Sequence, residues 1–473
     1  MSNIPSGGIR IPKNRISIDL SVEDPASRSA RAYGNPYARI EQIEGFRPDD
    51  NNDYLIVPFG VPALCDASDI YPYAEQGPLC ELPQAVPLRP YQQLAVAQMT
   101  DSSNRCGILV MPPGAGKTFT ALAAIAQRGD KSLILVHTRD LMDQWVEAAK
   151  SFFTEPASRI GGGKNDPHAQ ITVAMVQTLA AWNFARLSYL ASHHDVLILD
   201  EAHHTPASTF FGILWHLGTP RRFALTATPK RADGLTPILH WCFGPILCEV
   251  KTEDLVDAGV AVKPRVHRVD SAFSFDLPKV ADWQGKMQTD TKALAECYRA
   301  LCADPDRLRL IARIVLRSLK ESRKVLVLAG RVEHCRLIAE AIEDLGGPEA
   351  IVLTAKISMT KRRAGLDAFK AGTPPICIAT TLADEGLDVP DLEVLIQAFP
   401  GRSEARTIQR VGRTMRSCPG KERPILVDIV DAEVGLFLNQ WYARRRAYTT
   451  AGCEIATAVI RSPQHEAARR QLL

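Results

Sequence analysis

Short aliphatic runs recur from residue 88 onward, and each leads into a longer stretch whose apolar residues return every three or four positions. Residues 107–111 read as a strand and 118–127 as a helix, and 132–136 with 140–150 repeat the pair. Further strands are predicted at 171–176, 196–199 and 223–226, aliphatic or β-branched as strands covered on both faces should be. A second series begins after a less regular stretch from about 230 to 306. It has strands at 324–329, 350–353, 376–380, 394–398 and 425–430, and helices at 332–345, 360–371 and 403–415. Alternation of strand and helix builds parallel sheets, so the expected fold class is α/β, with two parallel-sheet domains in tandem. The expected divisions are an N-terminal accessory region at 1–87, domain 1 at 88–245, a linker or insertion at 246–306, domain 2 at 307–440 and a basic C-terminal tail or helix at 441–473.

Length agrees with more than one domain, because 473 residues exceed what a single core holds. A 46% hydrophobic share with 23% charged residues excludes a mostly disordered chain. Net charge is only +3, so distribution matters more than total. Acidic residues prevail in the first eighty positions and arginine prevails after about 305, including Arg444, Arg445 and Arg446; a basic surface is expected toward the C-terminus. The 11 cysteines form no C-x-x-C pair and no zinc spacing, and are read as reduced thiols. His193, His194, His203 and His204 lie close in sequence, but one pair ends a loop and the other follows a strand, so they are not expected to be ligands. No secretory segment is evident and no apolar run reaches the roughly eighteen residues that span a bilayer, so a cytoplasmic protein is expected, with no membrane partner.

The chemistry concentrates after the first strand. Residues 112–118 run Pro-Pro-Gly-Ala-Gly-Lys-Thr into a helix, the strand, loop and helix order of a phosphate-binding loop. Gly114 and Gly116 let backbone N–H groups turn toward phosphate oxygens at a helix N-terminus, Lys117 reaches the β- and γ-phosphates, and the Thr118 hydroxyl suits Mg²⁺. The strict pattern is broken at its first glycine, which is Met111 here. The aliphatic strand at 196–199 ends in Asp200 and Glu201, two carboxylates at the sheet edge where α/β proteins bind ligands. Asp200 is expected to hold the Mg²⁺ shell and Glu201 to orient and deprotonate the attacking water.

With these motifs in order, the stretch 88–430 resembles the superfamily 2 helicases and translocases, which implies two RecA-like domains. Leu88 to Gln92 is similar to the adenine-recognising segment, with Gln92 at the base. Residues 136–139, with Thr138 and Arg139, and the following Gln144-Trp145 resemble motif Ia, which implies contact with a nucleic-acid backbone. Asp200 to His203 resembles the DEAH box, and 225–229, with Thr226 and Thr228, resembles motif III, thought to couple hydrolysis to strand movement. Residues 379–390, including Thr380 and Asp388, are similar to motif V, and 409–416 to motif VI. There Gln409 is a coupling candidate, while Arg413 and Arg416, three apart on one helix face, are implied arginine fingers.

The resemblance is strongest to the branch of DNA repair helicases, phage helicases and restriction-enzyme motor subunits, on Arg89 to Gln92, the DEAH box and residues 227–234. It implies an ATP- and Mg²⁺-dependent hydrolase that moves along or unwinds DNA, single-stranded, forked or branched, in repair, recombination or replication, with protein partners possible. The alternatives are a motor subunit that tracks duplex DNA without unwinding it, an RNA helicase, and an ATP-gated DNA-binding module.

Overall fold

The computed structural model describes residues 9–12, 15–18, 21–23, 42–44, 47–48, 54–57, 63, 65 and 87–461, apart from 168, 203–206, 229–235, 282–286, 322, 355, 381–388, 390, 402–403, 415–416, 419–420, 422 and 458–459. The chain divides into two compact units, residues 1–251 and 252–473.

In the first unit, short strands β1 (Ile9–Pro12), β2 (Ser21–Glu23), β3 (Gln42–Glu44), β4 (Arg47–Pro48) and β5 (Tyr54–Val57) precede the main sheet. The expected accessory region is not wholly separate: Ile11 is fully buried and belongs to the same apolar core as the main sheet. That sheet comprises β6 (Cys106–Val110), β7 (Ser132–Val136), β8 (Ser158–Gly161), β9 (Lys164–Asn165), β10 (Ile171–Met175), β11 (Val196–Asp200), β12 (Arg221–Thr226) and β13 (Ile246–Glu249). Its order is β13-β6-β12-β11-β7-β10-β8-β9, parallel except where β9 folds back on β8. The central strands are buried along their whole length, which explains why they carry no polar alternation. The helices are α1 (Pro90–Thr100), α2 (Lys117–Arg128), α3 (Arg139–Ala149), α4 (Val176–Ala180), α5 (Phe184–Ser192), α6 (Ala207–His216) and α7 (Thr236–Phe243).

The second unit begins with α8 (Thr252–Asp257) and a strand that the pattern did not reveal, β14 (Arg265–Asp270). A hairpin, β15 (Lys279–Ala281) with β16 (Met287–Thr289), follows. Next come β17 (Val325–Ala329), β18 (Ile351–Leu353), β19 (Ile376–Thr380), β20 (Val394–Gln397), β21 (Ile425–Val430), β22 (Glu454–Ile455) and β23 (Ile460–Arg461). The sheet runs β18-β19-β17-β20-β21-β14-β22, parallel throughout, with β23 also paired to β14. Helices α9 (Thr291–Ala303), α10 (Pro305–Lys320), α11 (Val332–Asp344), α12 (Met359–Lys370), α13 (Glu404–Thr414) and α14 (Gly435–Thr450) complete it.

Two expectations about boundaries are corrected. The stretch 246–306, expected as a linker or insertion, is divided between the units: β13 edges the first sheet, whereas β14 lies inside the second. Within it, α9 places Cys297, Leu301 and Cys302 in a core with Phe273, Val434 and Phe437. The mixed sequence of β14, Arg-Val-His-Arg-Val-Asp, hides a strand whose polar side chains are held by partners, as Arg268 is by Asp270 at 2.6 Å. The C-terminal stretch, expected as a basic tail or helix, is over its first described residues a packed helix, and the division expected at 440/441 falls inside it. In α14, Trp441, Arg444 and Tyr448 are buried, and only Arg445 and Arg446 of the arginine run are exposed.

Candidate nucleotide site and motor motifs

Parallel pairing brings the C-terminal ends of β6, β12, β11 and β7 to one edge of the first sheet. The register sets Val110 opposite Thr226, Leu225 opposite Asp200, and Leu199 opposite Leu135. Four motifs far apart in sequence therefore meet there. From β6 the chain enters the glycine loop, where Gly114 and Gly116 take left-handed φ values of 86° and 82°. Gly116 is the N-cap of α2 and offers no side-chain bond, which leaves the first-turn N–H groups to an anion. A Cβ at Gly116 would overlap Gln92 Nε2, so a side chain there strains the backbone and must displace the Gln92 amide.

Gln92 is buried, and its two polar ends are used on backbone. Nε2 donates to the Ala115 carbonyl at 2.9 Å, and Oε1 accepts from the Arg89 N–H at 3.0 Å. The residue expected at the adenine base thus braces the phosphate loop.

The two carboxylates follow β11. Asp200 is 4% exposed, and each of its oxygens is held: Oδ2 accepts from the Trp145 indole N–H at 2.7 Å, and Oδ1 from the Glu201 N–H at 2.9 Å. Burial, then the neighbouring Glu201 charge, push the Asp200 carboxyl up to about 6, against the opposing pulls of Lys117 and the Trp145 hydrogen bond. Glu201 adopts a φ of 49°, a left-handed conformation that costs a non-glycine residue about 1–3 kcal/mol. Its Oε1 lies 3.3 Å from Lys117 Nζ. The lysine of the loop and the acidic pair are therefore one cluster. Backbone N–H groups, a lysine, the half-buried Thr118 hydroxyl and a carboxylate form a set of hard oxygen donors and anion-binding groups that fits a magnesium-bound polyphosphate.

Around this cluster, Thr138 accepts from the Leu141 N–H at 3.2 Å and caps α3, and Arg139 is exposed in the first turn of that helix. Gln177, a residue for which the sequence reading assigned no role, donates to the His137 carbonyl at 2.8 Å and ties α4 to this loop. Trp145, expected with motif Ia at a nucleic-acid backbone, is instead fully buried against Asp200. The signal was present as the spacing of Met142, Trp145 and Ala149, the inward face of α3. Thr226 is buried, and its hydroxyl donates to the Thr228 carbonyl at 2.7 Å and accepts from the Thr228 N–H at 3.2 Å, which shapes the turn after β12. His194 is buried with Nδ1 at 2.7 Å from the Leu190 carbonyl; His203 and His204 lie outside the described residues.

In the second unit, Thr380 ends β19 opposite Ala329 of β17 and is buried. Strand β20 leads toward α13, the motif VI helix, whose buried residues include Thr407, Arg410, Val411 and Thr414. Arg410 Nη1 donates to Gln397 Oε1 at 2.9 Å, and Gln397 Nε2 donates to the Phe399 carbonyl at 2.5 Å. Two buried arginines grip the loop between β20 and α13. Arg307 donates to the Ala398 carbonyl at 2.7 Å and Arg444 to the Gly401 carbonyl at 2.7 Å. Each is neutralised, Arg307 by Asp431 at 2.7 Å and Arg444 by both oxygens of Asp428 at 2.7 Å. Asp388 and Arg416 lie outside the described residues, as do the side chains of Gln409 and Arg413.

The family model for the res subunit of type III restriction enzymes matches residues 85–231, and that for the helicase conserved C-terminal domain matches 306–418. The DNA 3'-5' translocase XPB2 of Sulfurisphaera tokodaii is 28% identical over 371 residues, 73% of this chain and 82% of the relative. The DNA 3'-5' helicase XPB of Mycobacterium tuberculosis is 26% identical over 418 residues, 85% of this chain and 71% of the relative. The chain belongs to the superfamily 2 helicases. Within that superfamily it falls in the branch of DNA repair, phage and restriction-subunit enzymes, and it is an ATP-hydrolysing enzyme of the helicase type. The curated helicase relatives include longer proteins, of which the chain spans between 52% and 82%. A fragment of a chain assigned as an HsdR subunit of a type I restriction enzyme from Vibrio vulnificus has a similar fold, with a TM-score of 0.60 at 21% identity over 81% of this chain and 70% of that one.

Proposed function

We propose that the chain is a DNA-stimulated motor that hydrolyses ATP with Mg²⁺ to move along or unwind DNA in repair, recombination or replication. The observation that carries the reading is the Lys117, Asp200 and Glu201 cluster, in which a phosphate-loop lysine sits 3.3 Å from one carboxylate of a strand-end pair whose other member is held at both oxygens. Lys117 and the first turn of α2 bind the β- and γ-phosphates. Thr118 and Asp200 hold magnesium, which when bound neutralises charge on the phosphate oxygens. Lys117 releases Glu201 as it turns to phosphate, and Glu201 then orients the water and takes its proton. Arg413 and Arg416 are proposed to stabilise charge on the γ-phosphate, a contribution of about 10³–10⁵ in rate for an arginine finger. Thr138, Arg139, Thr226, Thr228, Thr380 and Gln409 are proposed to contact DNA or couple it to hydrolysis, Gln92 to sense the base, and Asp388 to assist at the nucleotide.

The test is ATP turnover with and without single-stranded DNA for Lys117→Ala and Glu201→Gln. Both variants are expected to lose the DNA-stimulated rate, and undiminished turnover in both refutes the reading. A narrower version is a motor that tracks duplex DNA without separating it, which the name translocase carried by the Sulfurisphaera relative supports. Tracking without strand displacement on a forked substrate supports that version, and displacement by the purified chain removes it.

A further inference from the structure

Trp145 is fully buried on α3, and its indole N–H reaches Asp200 Oδ2 at 2.7 Å. An indole has one polar group and it only donates. Aimed at a buried carboxylate, it fixes the direction in which the remaining lone pairs of that carboxylate point. The second hold on Asp200 is the Glu201 N–H at 2.9 Å on Oδ1, so rotation of the carboxylate breaks one bond or the other. The donor also has a particular origin. Trp145 lies two turns into the helix that opens with the Thr138 cap and the exposed Arg139, and whose entry is tied by Gln177 to the His137 carbonyl. A rigid helix thus joins the edge where α3 begins to an oxygen of the strand-end carboxylate. The rest of its inward face, Met142 and Ala149, is buried, which leaves Trp145 as the polar contact of that face with Asp200.

We propose that Trp145 is a positioning residue for ATP hydrolysis, holding the Asp200 carboxylate in its working orientation and making that orientation answer to whatever binds the first turn of α3. The inference rests on the motor reading above. DNA on Thr138 and Arg139 shifts α3 along its axis or settles it, and the indole carries that change to Asp200. Nucleotide binding by the glycine loop does not pass through this bond. Asp200 bears on the nucleotide only through magnesium, whereas Lys117 and the loop N–H groups meet the phosphates directly, so the effect falls mainly on kcat rather than on KM for ATP.

Two measurements test it. In the full-length chain labelled with ¹⁵N-tryptophan, one of the six indole N–H resonances is assigned to Trp145 by its loss in Trp145→Phe. That resonance is expected to move in Asp200→Asn and again when single-stranded DNA is added to the wild type. A resonance indifferent to either change overturns the proposal without relying on any activity. Trp145→Phe keeps an aromatic ring in the pocket and removes the donor together with part of the indole's bulk. It is expected to lower DNA-stimulated kcat by about tenfold, the scale of a hydrogen bond to a charged group, with KM for ATP within about threefold of wild type. A DNA-stimulated kcat equal to wild type sinks the idea, as does a loss of rate matched by an equal rise in KM. A wild-type chain whose hydrolysis DNA does not stimulate, or an active Lys117→Ala, instead refutes the DNA-stimulated motor itself.

Discussion

Gly116 shows how much of the site hangs on a missing methyl group. Its φ of 82° disfavours any side chain, and one placed there would have to displace the Gln92 amide. Gly116→Ala is expected to weaken nucleotide binding at least tenfold, since about 1–3 kcal/mol of backbone strain adds to the displacement of Gln92 from the Ala115 carbonyl; titration with a fluorescent ATP analogue measures it. His334 makes a different case. It is fully buried, and neither ring nitrogen has a hydrogen-bond partner among the described residues. Burial, then the Arg307 charge, pull it down to about 3. The folded chain thus keeps a neutral ring where the unfolded chain, at an ordinary value near 6.5, takes up a proton. Stability from this group is whole above about pH 6.5 and is lost as pH falls toward 3. His334→Phe is expected to flatten that slope in urea titrations at pH 7 and pH 5, and to stabilise at neutral pH by about 1–3 kcal/mol through removal of unpaired buried nitrogens.

At the scale of elements, the C-terminal helix α14 serves the motif VI loop. Arg444 spans from Asp428 on β21 to the Gly401 carbonyl, and Tyr448 adds a hydroxyl to Asp428 at 2.7 Å. Burial and the Asp428 charge push the Tyr448 phenol well up, so it stays a donor. Removing the guanidinium leaves Asp428 buried without its cation. Arg444→Met is expected to cost about 3–5 kcal/mol in urea unfolding, far more than loss of an exposed arginine such as Arg445. Equal stability for Arg444→Met and Arg445→Met would show that the pair contributes nothing. The arginine run looked like a charged surface in sequence because charge patterning cannot see that Asp428, sixteen residues earlier, ends up facing one member of it.

For the whole molecule, the two units have separate apolar cores, one built around β6, β7, β11 and β12 and the other around β17, β19, β20 and β21. Two cores predict two unfolding transitions. His334→Phe and Arg444→Met are expected to shift the same one and leave the other in place, as calorimetry would show. If the chain grips DNA chiefly by phosphates, its affinity falls linearly on a log-log plot against salt, and Arg139→Ala is expected to reduce that slope by about one. Helices α2, α3, α11, α12 and α13 were legible beforehand from their three-and-four spacing, and nearly all the central strands were too, because burial on both faces demands unbroken aliphatic runs; α1, α4 to α10 and the bounds of α14 were not. Strand β14 was not, since Arg268 and Asp270 satisfy each other inside the sheet and disguise it.

From residue order alone came the α/β class, the two tandem sheets, the phosphate loop and the acidic pair, because backbone propensity, hydrophobic period and glycine placement are local properties. Tertiary structure alone decided that Gln92 braces the loop, that Trp145 holds Asp200, that Arg444 is buried, and that residues 246–306 are split between two sheets. These depend on which distant groups meet once strands pair, and a hydrogen bond or a burial is a property of both partners together.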